Sequence, residues 1–409
     1  MTVAVEDPGD LAAYLPPVSG HAWLRRGDGM IGIGEVARFE GGTAAEADDW
    51  WRDVCSRIEH ETELPGTCAT GPIAFASFVF DPAHTAHRSL VIVPRVVLGR
   101  RNGTSWLTSI SARSGPAPSP PLRQPAPRPP TGVQVVSGSL DAVAWQGIVE
   151  QAVERIGRGM LDKVVLARGV RLAASAPLEV RSLVTGLAGR YPSCWTYHVD
   201  GLVGASPEML IRREGGLATS RVLAGTIRRN GGEELDLKLA HALARSGKNL
   251  IEHELAVASV ARALEPFCSG MNVPDAPYVL ELPNVLHLAS DVTAVAHPDV
   301  SVLRLAGELH PSAAVCGTPT PVARETIAEL EHLDRGRYSG PVGWLDSSGD
   351  GEFAIALRCG VVDPSRPEQI TVYAGCGIVA ESDPAEEFAE TEAKLLPMLE
   401  ALGVNLSGH

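Results

Sequence analysis

Two glutamates in the last predicted helix are the first candidates for chemistry. Glu387 and Glu390 are three residues apart, so a helix presents both carboxylates on one face, near the end where its macrodipole favours negative charge. Two interpretations are open at this point. The pair could belong to a solvated face on which Lys394 pairs with Glu390 at i+4, or it could hold a cation.

A third carboxylate would complete a cation site if two helices meet. Glu252 lies in a long helical segment, close to a stripe of leucine, isoleucine and valine, where a carboxylate needs a partner. If Glu252 faced the last helix across a pocket, its carboxylate would form an all-oxygen site with those of Glu387 and Glu390. Such a site suits Mg²⁺. Zinc finds no support, because the sequence has no His-x-x-x-His or Cys-x-x-Cys pair.

One lysine and one further glutamate could exchange protons. Lys163 directly precedes the apolar run VVLA. Desolvation beside such a run would disfavour the charged form of the lysine, so that its amine could accept a proton near neutral pH. At the first position of a strand, a lysine that reaches solvent is an equal alternative. Glu208, between a proline and an apolar strand, is either a general acid with a raised pKa or a turn residue.

Two glycine clusters and two arginines could bind an anion. Two segments are rich in small residues, 223–229 (LAGTIRR) and 374–379 (AGCGIV). Because these side chains are small, the backbone N–H groups can approach a negatively charged group. Neither cluster is a P-loop or a dinucleotide fingerprint. Arg324 and Arg358 could clamp a carboxylate through two hydrogen bonds, unless they pair with surface acids.

The elements that must position these residues alternate between helices and strands. Apolar spacing predicts helices over 44–59, 140–156, 178–187, 234–264, 321–333 and 384–402, the last with an Asp383 cap and Pro384 at its first position. It predicts strands over 163–172, 196–199, 209–213, 352–362 and 369–379. Strands that return through glycine turns as often as through helices indicate an α+β fold, an α/β sandwich with large central antiparallel sheets.

A proline-rich segment divides the chain. Residues 113–131 include PAPSPPLRQPAPRPP and are predicted to be an extended surface loop, because proline donates no hydrogen bond to a ladder or helix. The loop separates a sheet-rich part, residues 1–112, from residues 132–405, which carry the candidate residues.

The composition excludes several classes of protein. Of 409 residues, 44% are hydrophobic and 21% are charged, which excludes a disordered or fibrous chain. A net charge of −14 without a basic patch argues against nucleic acids and anionic membranes as partners. No apolar run approaches the roughly 20 residues of a membrane helix, and the N-terminus is acidic, so we expect a cytoplasmic protein.

The order of ten motifs resembles that of the chorismate-utilising enzymes, and among them the isochorismate synthases. These motifs are KVVLAR, GASPEML, LAGTIRR, KNLIEHELAV, HLASDV, HPSAAVCGTP, DRGRYSGPVGW, ALRCG, YAGCGIV and EEFAETEAKL. They span residues 161 to 395, and GPIAFASFVFD at 71–81 resembles the family's N-terminal segment. The resemblance implies one chorismate-binding domain over residues 1–409, with the proline-rich loop on its surface, and a single Mg²⁺-dependent active site.

The resemblance also assigns a role to each candidate. It implies that Lys163 is the general base and Glu208 the general acid. It implies that Glu252 and Glu390 hold Mg²⁺, with Glu387 nearby. The residues that would contact the substrate are Gly225, Thr226, His287, Ala314, Tyr338, Arg358, Gly375, Cys376 and Gly377.

Two positions distinguish among relatives of this kind. Amine-adding members such as anthranilate synthase tend to lack lysine at the base position, so Lys163 favours water as the nucleophile and no glutaminase subunit is expected. Salicylate synthases keep the lysine and also eliminate pyruvate, but they tend to have threonine where this chain has Ala314. A silent chorismate-binding relative is the third alternative, opposed by the joint presence of the base, the acid and the glutamates. We expect a monomer that acts on chorismate, whether its product serves menaquinone or siderophore synthesis.

Overall fold

The computed structural model describes residues 1–111, 120–138, 141–229, 232–281 and 285–404, without the side chains of residues 224, 226, 228, 233, 248, 249, 252 and 285. The strands within these ranges are β1 (Thr2–Ala4), β2 (Gly20–Arg25), β3 (Asp28–Ile33), β4 (Ala37–Gly41), β5 (Ile73–Ser77), β6 (Ser89–Val93), β7 (Val96–Arg101), β8 (Thr104–Ser109), β9 (Gln134–Gly138), β10 (Lys163–Ala173), β11 (Trp195–Val199), β12 (Leu202–Ser206), β13 (Met209–Glu214), β14 (Leu217–Arg228), β15 (Cys268–Asn272), β16 (Tyr278–Glu281), β17 (Val285–Ala296), β18 (Gly317–Thr318), β19 (Pro341–Asp346), β20 (Gly351–Ile355), β21 (Cys359–Asp363) and β22 (Arg366–Ile378). The α-helices are α1 (Ala44–Ser56), α2 (Ala142–Gly157), α3 (Val180–Arg190), α4 (Glu233–Arg245), α5 (Gly247–Leu264), α6 (Val302–Leu309), α7 (Thr320–Leu330) and α8 (Pro384–Ala401).

The strands form two large antiparallel sheets. The first has the order β1-β8-β7-β3-β2-β11-β12-β21-β22-β10-β18, with β9 also paired to β10. The second has the order β15-β17-β14-β13-β20-β19-β5-β6-β4, with β16 also paired to β17. Both sheets combine strands from before and after the proline-rich segment. The predicted α+β sandwich with central antiparallel sheets is confirmed.

The sheets face each other across an aromatic core, and helices cover their outer faces. Trp23 and Tyr197 of the first sheet share one apolar cluster with Phe75 and Trp344 of the second. The indole N–H of Trp23 also donates to a carboxylate oxygen of Glu352 across 2.9 Å. Helices α3 and α8 pack on the first sheet, and α5 and α6 on the second. Within the described ranges, no helix combines the length and apolarity needed to cross a bilayer.

Two predicted elements are each divided in the structure. The strand predicted over 352–362 is two strands in different sheets, because the chain leaves the second sheet after Ile355 and enters the first at Cys359. The helix predicted over 234–264 is α4 and α5, because Ser246 has an extended backbone (φ −72°, ψ 107°). The last helix begins as predicted, since the Asp383 side chain accepts hydrogen bonds from two N–H groups of its first turn and Pro384 follows.

A buried ion pair completes the edge of β10 between its two short neighbours. β18 pairs with residues 163–164 and β9 with residues 170–173, and no strand among the described residues pairs with the middle of this edge. There, a Glu331 carboxylate oxygen accepts from the N–H of Ala167 at 3.1 Å, and Arg335 donates to the carbonyl of Val165 at 2.7 Å. The two side chains, 1% and 3% exposed, also pair with each other at 2.6 Å. They therefore satisfy backbone groups that a strand would otherwise pair.

Loss of this pair is expected to destabilise the protein strongly. Arg335→Met should lower the free energy of unfolding by about 3 kcal/mol, because it leaves the buried Glu331 carboxylate without a counter-ion. Urea unfolding followed by tryptophan fluorescence measures the change. Arg158→Met is the matched control, since Glu154 and Arg158 have the same i,i+4 spacing on the surface, and exposed pairs of this kind contribute less than about 0.5 kcal/mol. Equal losses in the two variants would contradict the special role of the buried pair.

Candidate active site

Two neighbouring chain segments cross together from one sheet to the other, and each carries a candidate residue. The β12–β13 segment contains Glu208, and the β20–β21 segment contains Arg358. The segments are joined by backbone hydrogen bonds, from Ile355 N–H to the Glu208 carbonyl at 3.1 Å and from Ala205 N–H to the Arg358 carbonyl at 3.2 Å. Arg358 has φ +49°, a left-handed conformation that turns the chain between the sheets. The crossing therefore places a carboxyl and a guanidinium side by side.

The carboxyl of Glu208 is held partly neutral at physiological pH. Burial raises the pKa of Glu208 to about 7, while the positive charges of Arg358, Lys163 and Lys394 oppose the rise. Burial also lowers the pKa of the Arg358 guanidinium, and the nearby carboxylates of Glu390 and Glu208 oppose this change. These mutual effects show that the candidate residues share one electrostatic environment. A carboxyl with a pKa near 7 can give a proton in neutral solution.

Lys163 reaches this environment across Gly377, a position of β22 without a side chain. It is the first residue of β10, as the sequence predicts, and its aliphatic chain passes over Gly377 of β22. A methyl group at Gly377 would lie 2.8 Å from Cε and 3.5 Å from Nζ of Lys163, so a larger residue there would displace the lysine. Glycine at this position therefore leaves room for the lysine side chain to extend toward Glu208.

The end of β22 exposes backbone groups to the same space. The pairing of β21 with β22 stops at Cys359 and Tyr373, whereas β10 continues to Ile378. Within the part of the chain that the structure describes, residues 374–378, which include Gly375, Cys376 and Gly377, therefore pair with a strand on one side only. Backbone N–H groups of this segment are those for which the sequence predicts an anion site.

Tyr338 lies under the same strand. Its ring stacks on Tyr373 with a centroid distance of 5.1 Å and an interplanar angle of 11°. A methyl group at Gly375 would lie 3.1 Å from the Tyr338 hydroxyl, so the absence of a side chain also leaves space for this group. Burial raises the pKa of Tyr338 to about 12, which keeps its hydroxyl protonated as a hydrogen-bond donor.

The second sheet contributes Gly225 and His287 from β14 and β17. Gly225 lies at a break in the register between these strands and has φ +78°. Glycine adopts this left-handed conformation without strain. Burial lowers the pKa of His287 to about 4, helped by the charges of Arg358 and Lys394 and opposed by Glu390 and by a hydrogen bond to the Gly225 backbone. His287 is therefore a neutral imidazole in the same environment. Thr226 pairs with His287 in the ladder, but its side chain lies outside the described part of the structure.

The first turns of α8 bring two carboxylates and an amine to this side. Glu390 pairs with Lys394 at 2.5 Å, as one of the two interpretations of the sequence anticipates. The Lys394 ammonium also donates to the Gly375 carbonyl at 2.9 Å, which ties the helix to the open edge of β22. Glu387 accepts from the Ser382 hydroxyl at 2.7 Å. Lys394 is thus a further residue of the site, which the sequence indicates only as a surface partner of Glu390. Its i+4 spacing from Glu390 is the one feature of the sequence that links it to the site residues.

The donor set of this region fits a hard divalent cation. Glu387 and Glu390 offer carboxylate oxygens one helical turn apart, and the Glu390 side chain is 43% exposed, so it can exchange its lysine partner for an ion. Glu252 belongs to α5, which packs on β14 and β17, but its side chain lies outside the described part of the structure. A different cluster of possible ligand atoms, from Cys68, Asp346 and Asp350, is occupied by internal hydrogen bonds and by Arg213.

Two further candidates have other surroundings. Arg324, predicted as a possible carboxylate clamp, lies 3.6 Å from Asp81 in a small cavity lined by Phe80 and Asp334 among others. Arg324 thus follows the second alternative that the sequence offers, an arginine beside an acid. Ala314 is exposed in the loop between α6 and β18.

With this geometry in place, comparison with known proteins identifies the family. A family model described as "Chorismate binding enzyme" matches residues 120–403. The chain therefore belongs to the chorismate-binding enzymes. The isochorismate synthase MenF of Bacillus subtilis is 31% identical over 91% of this chain and 85% of its own length. The isochorismate synthase DhbC of the same organism is 39% identical over 63% of this chain and 67% of its own length.

A solved structure supports the same fold. MenF, the menaquinone-specific isochorismate synthase from Escherichia coli, aligns with a TM-score of 0.82 at 24% identity, over 98% of this chain and 94% of that chain. The family resemblance inferred from the ten motifs is confirmed.

The raised pKa of Glu208 predicts a pH-dependent gain in stability when this carboxyl is removed. Its stabilising contribution is complete below the ordinary value of 4.5 and is lost as the pH rises through about 7. Glu208→Gln stays neutral, so its free energy of unfolding should exceed that of the wild type by an amount that grows from pH 4.5 to 7. We expect a plateau of about 3 kcal/mol above pH 7, because the pKa rises from 4.5 to about 7 and each pKa unit corresponds to about 1.4 kcal/mol.

Urea titrations at several pH values test this expectation. Glu150→Gln, on the exposed face of α2, is the control and should show no such growth. A constant difference between Glu208→Gln and the wild type across this range would mean that Glu208 is not a buried acid.

Proposed function

We propose that this protein is an isochorismate synthase, an isomerase that converts chorismate to isochorismate. The observation that carries the proposal is a buried carboxyl, Glu208, whose pKa of about 7 is set against the charges of Lys163 and Arg358. The isomerisation removes a hydroxyl at one ring carbon and adds one at another, and this exchange needs one acid and one base. The relatives named as isochorismate synthases support the same reaction.

The substrate is a dianion, and the site has donors for its carboxylates. Arg358, the Tyr338 hydroxyl and the open backbone of β22 at residues 375–377 are the groups that would hold them. The neutral imidazole of His287 would lie beside the ring. These groups orient the ring without forming a bond to it, so they contribute by positioning.

The proton transfers follow from the two reactive side chains. Lys163 takes a proton from a water molecule as the oxygen attacks C2 and the ring double bonds shift. Glu208 gives its proton to the hydroxyl that leaves C4, so water enters and water departs. Proton exchange with solvent then restores both side chains for the next turnover.

A divalent cation completes the proposed site. Glu390 and Glu252 would hold Mg²⁺, with Glu387 close by. When bound, Mg²⁺ would neutralise charge on the ring carboxylate and fix its orientation. The cytoplasm is the proposed location and chorismate the proposed small-molecule partner, with a monomer acting alone and without a glutaminase subunit.

Product analysis distinguishes this proposal from its two alternatives. The purified protein incubated with chorismate and Mg²⁺ should give a mixture of chorismate and isochorismate, the same from either direction, identified by chromatography and NMR. Omission of Mg²⁺ should abolish the conversion. Release of pyruvate with salicylate would indicate a salicylate synthase, and unchanged chorismate would indicate a silent chorismate-binding relative.

Variants of the acid and the base separate their roles. Lys163→Ala should lower kcat by about 10² to 10⁴, the range for loss of a general base, while Mg²⁺ binding persists. Wild-type kcat/KM should fall as the pH rises above about 7, because Glu208 then loses the proton that it must donate. Lys238→Ala, an exposed lysine of α4, is the control and should turn over normally. Normal turnover by Lys163→Ala would remove the proposed base.

A further inference from the structure

A buried arginine joins β10 to α8. Arg168 has a side chain only 6% exposed, although it carries a full charge. Its Nε donates to the Thr391 hydroxyl over 2.8 Å, its guanidinium pairs with Glu392, and its Cζ lies 4.3 Å from the centre of the Phe388 ring. A single side chain from the strand thus contacts three residues within about one turn of the helix.

The helix residues that contact Arg168 are themselves fixed. The Thr391 hydroxyl, which accepts from Arg168, donates to the Phe388 carbonyl at 2.7 Å and is fully buried. The Phe388 ring lies between the guanidinium and Trp145 of α2, with 6.0 Å between the two ring centroids. The contact therefore leaves little freedom for this part of α8 to move along or around its axis.

These contacts lie on a different face of α8 from the site residues. At 100° per residue, the three residues that touch Arg168 are centred roughly 120° around the helix axis from Glu387, Glu390 and Lys394. Arg168 cannot reach the pocket from there. Because the helix is rigid, however, a rotation at the Arg168 face moves the carboxylates by the same angle.

We propose that Arg168 is a positioning residue that sets the rotation of α8 and so places Glu387 and Glu390 for a divalent cation. This inference rests on the proposed function, since it takes the two glutamates as part of the cation site. Arg168 also belongs to the strand that begins with Lys163, so the same contact holds the proposed base and the cation carboxylates in one frame. Supporting residues of this kind commonly change metal affinity by 10- to 100-fold.

The test measures Mn²⁺ binding by electron paramagnetic resonance with excess chorismate present, because carboxylate sites accept Mn²⁺ in place of Mg²⁺. Arg168→Met should weaken Mn²⁺ binding by about 10- to 100-fold. Arg168→Lys keeps the charge but not the fork of donors, and should recover only part of the affinity. Thr391→Val, which removes one hydroxyl, should weaken binding by a smaller factor and covers the case in which Arg168 variants do not fold.

Arg181→Met is the matched control. Arg181 is equally buried and pairs with Glu179 beside α3, so its loss should lower the melting temperature without changing Mn²⁺ affinity. Wild-type protein that binds no Mn²⁺ would overturn the cation site and the inference with it. Wild-type binding that Arg168→Met and Thr391→Val both retain would overturn the inference alone and leave the proposed function standing.

Discussion

The buried pair of Glu331 and Arg335 is the interaction on which the site depends. It lies along the middle of β10, where no described strand pairs, and hydrogen-bonds to the backbone of Val165 and Ala167. Arg335 also accepts, through its carbonyl, the N–H of Tyr338 at 3.0 Å, so the segment that carries the tyrosine begins at the same point. Two charges removed from water in this way are tolerated because almost every polar atom has a partner.

The site itself lies where the two sheets separate. Strands that change sheets leave backbone groups without ladder partners, and the crossings at Glu208 and Arg358 do so side by side. Polar groups in such a gap must bind one another or a ligand. Lys394 meets one of these demands by donating to the Gly375 carbonyl, and glycines at 375 and 377 keep the remaining space open. Two sheets that exchange strands thus bring charged and polar side chains together at one place between them.

Much of this arrangement could be predicted from the sequence, and the exceptions have physical causes. Lys163 at the start of a buried strand and the Asp383 cap of α8 follow from local patterns, and both are present. The division of the strand predicted over 352–362 into two strands was not predictable. Leu357 and Arg358 fit the pattern of a continuous strand, and neither glycine nor proline marks the left-handed turn at Arg358. The contact of Lys394 with Gly375 joins residues whose proximity depends on tertiary packing, which periodicity does not encode.

The sheet order has a consequence for how the chain acquires its shape during synthesis. Ser77 pairs with Val342, and Leu24 pairs with Thr196, so inner strands emerge from the ribosome long before their partners exist. Pairings so distant in sequence make folding slow and leave apolar strand edges exposed meanwhile. The helix that carries Glu387 and Glu390 emerges after every described strand. The nascent chain therefore carries unpaired apolar strands until the later parts of both sheets are made, and species of this kind are prone to aggregate.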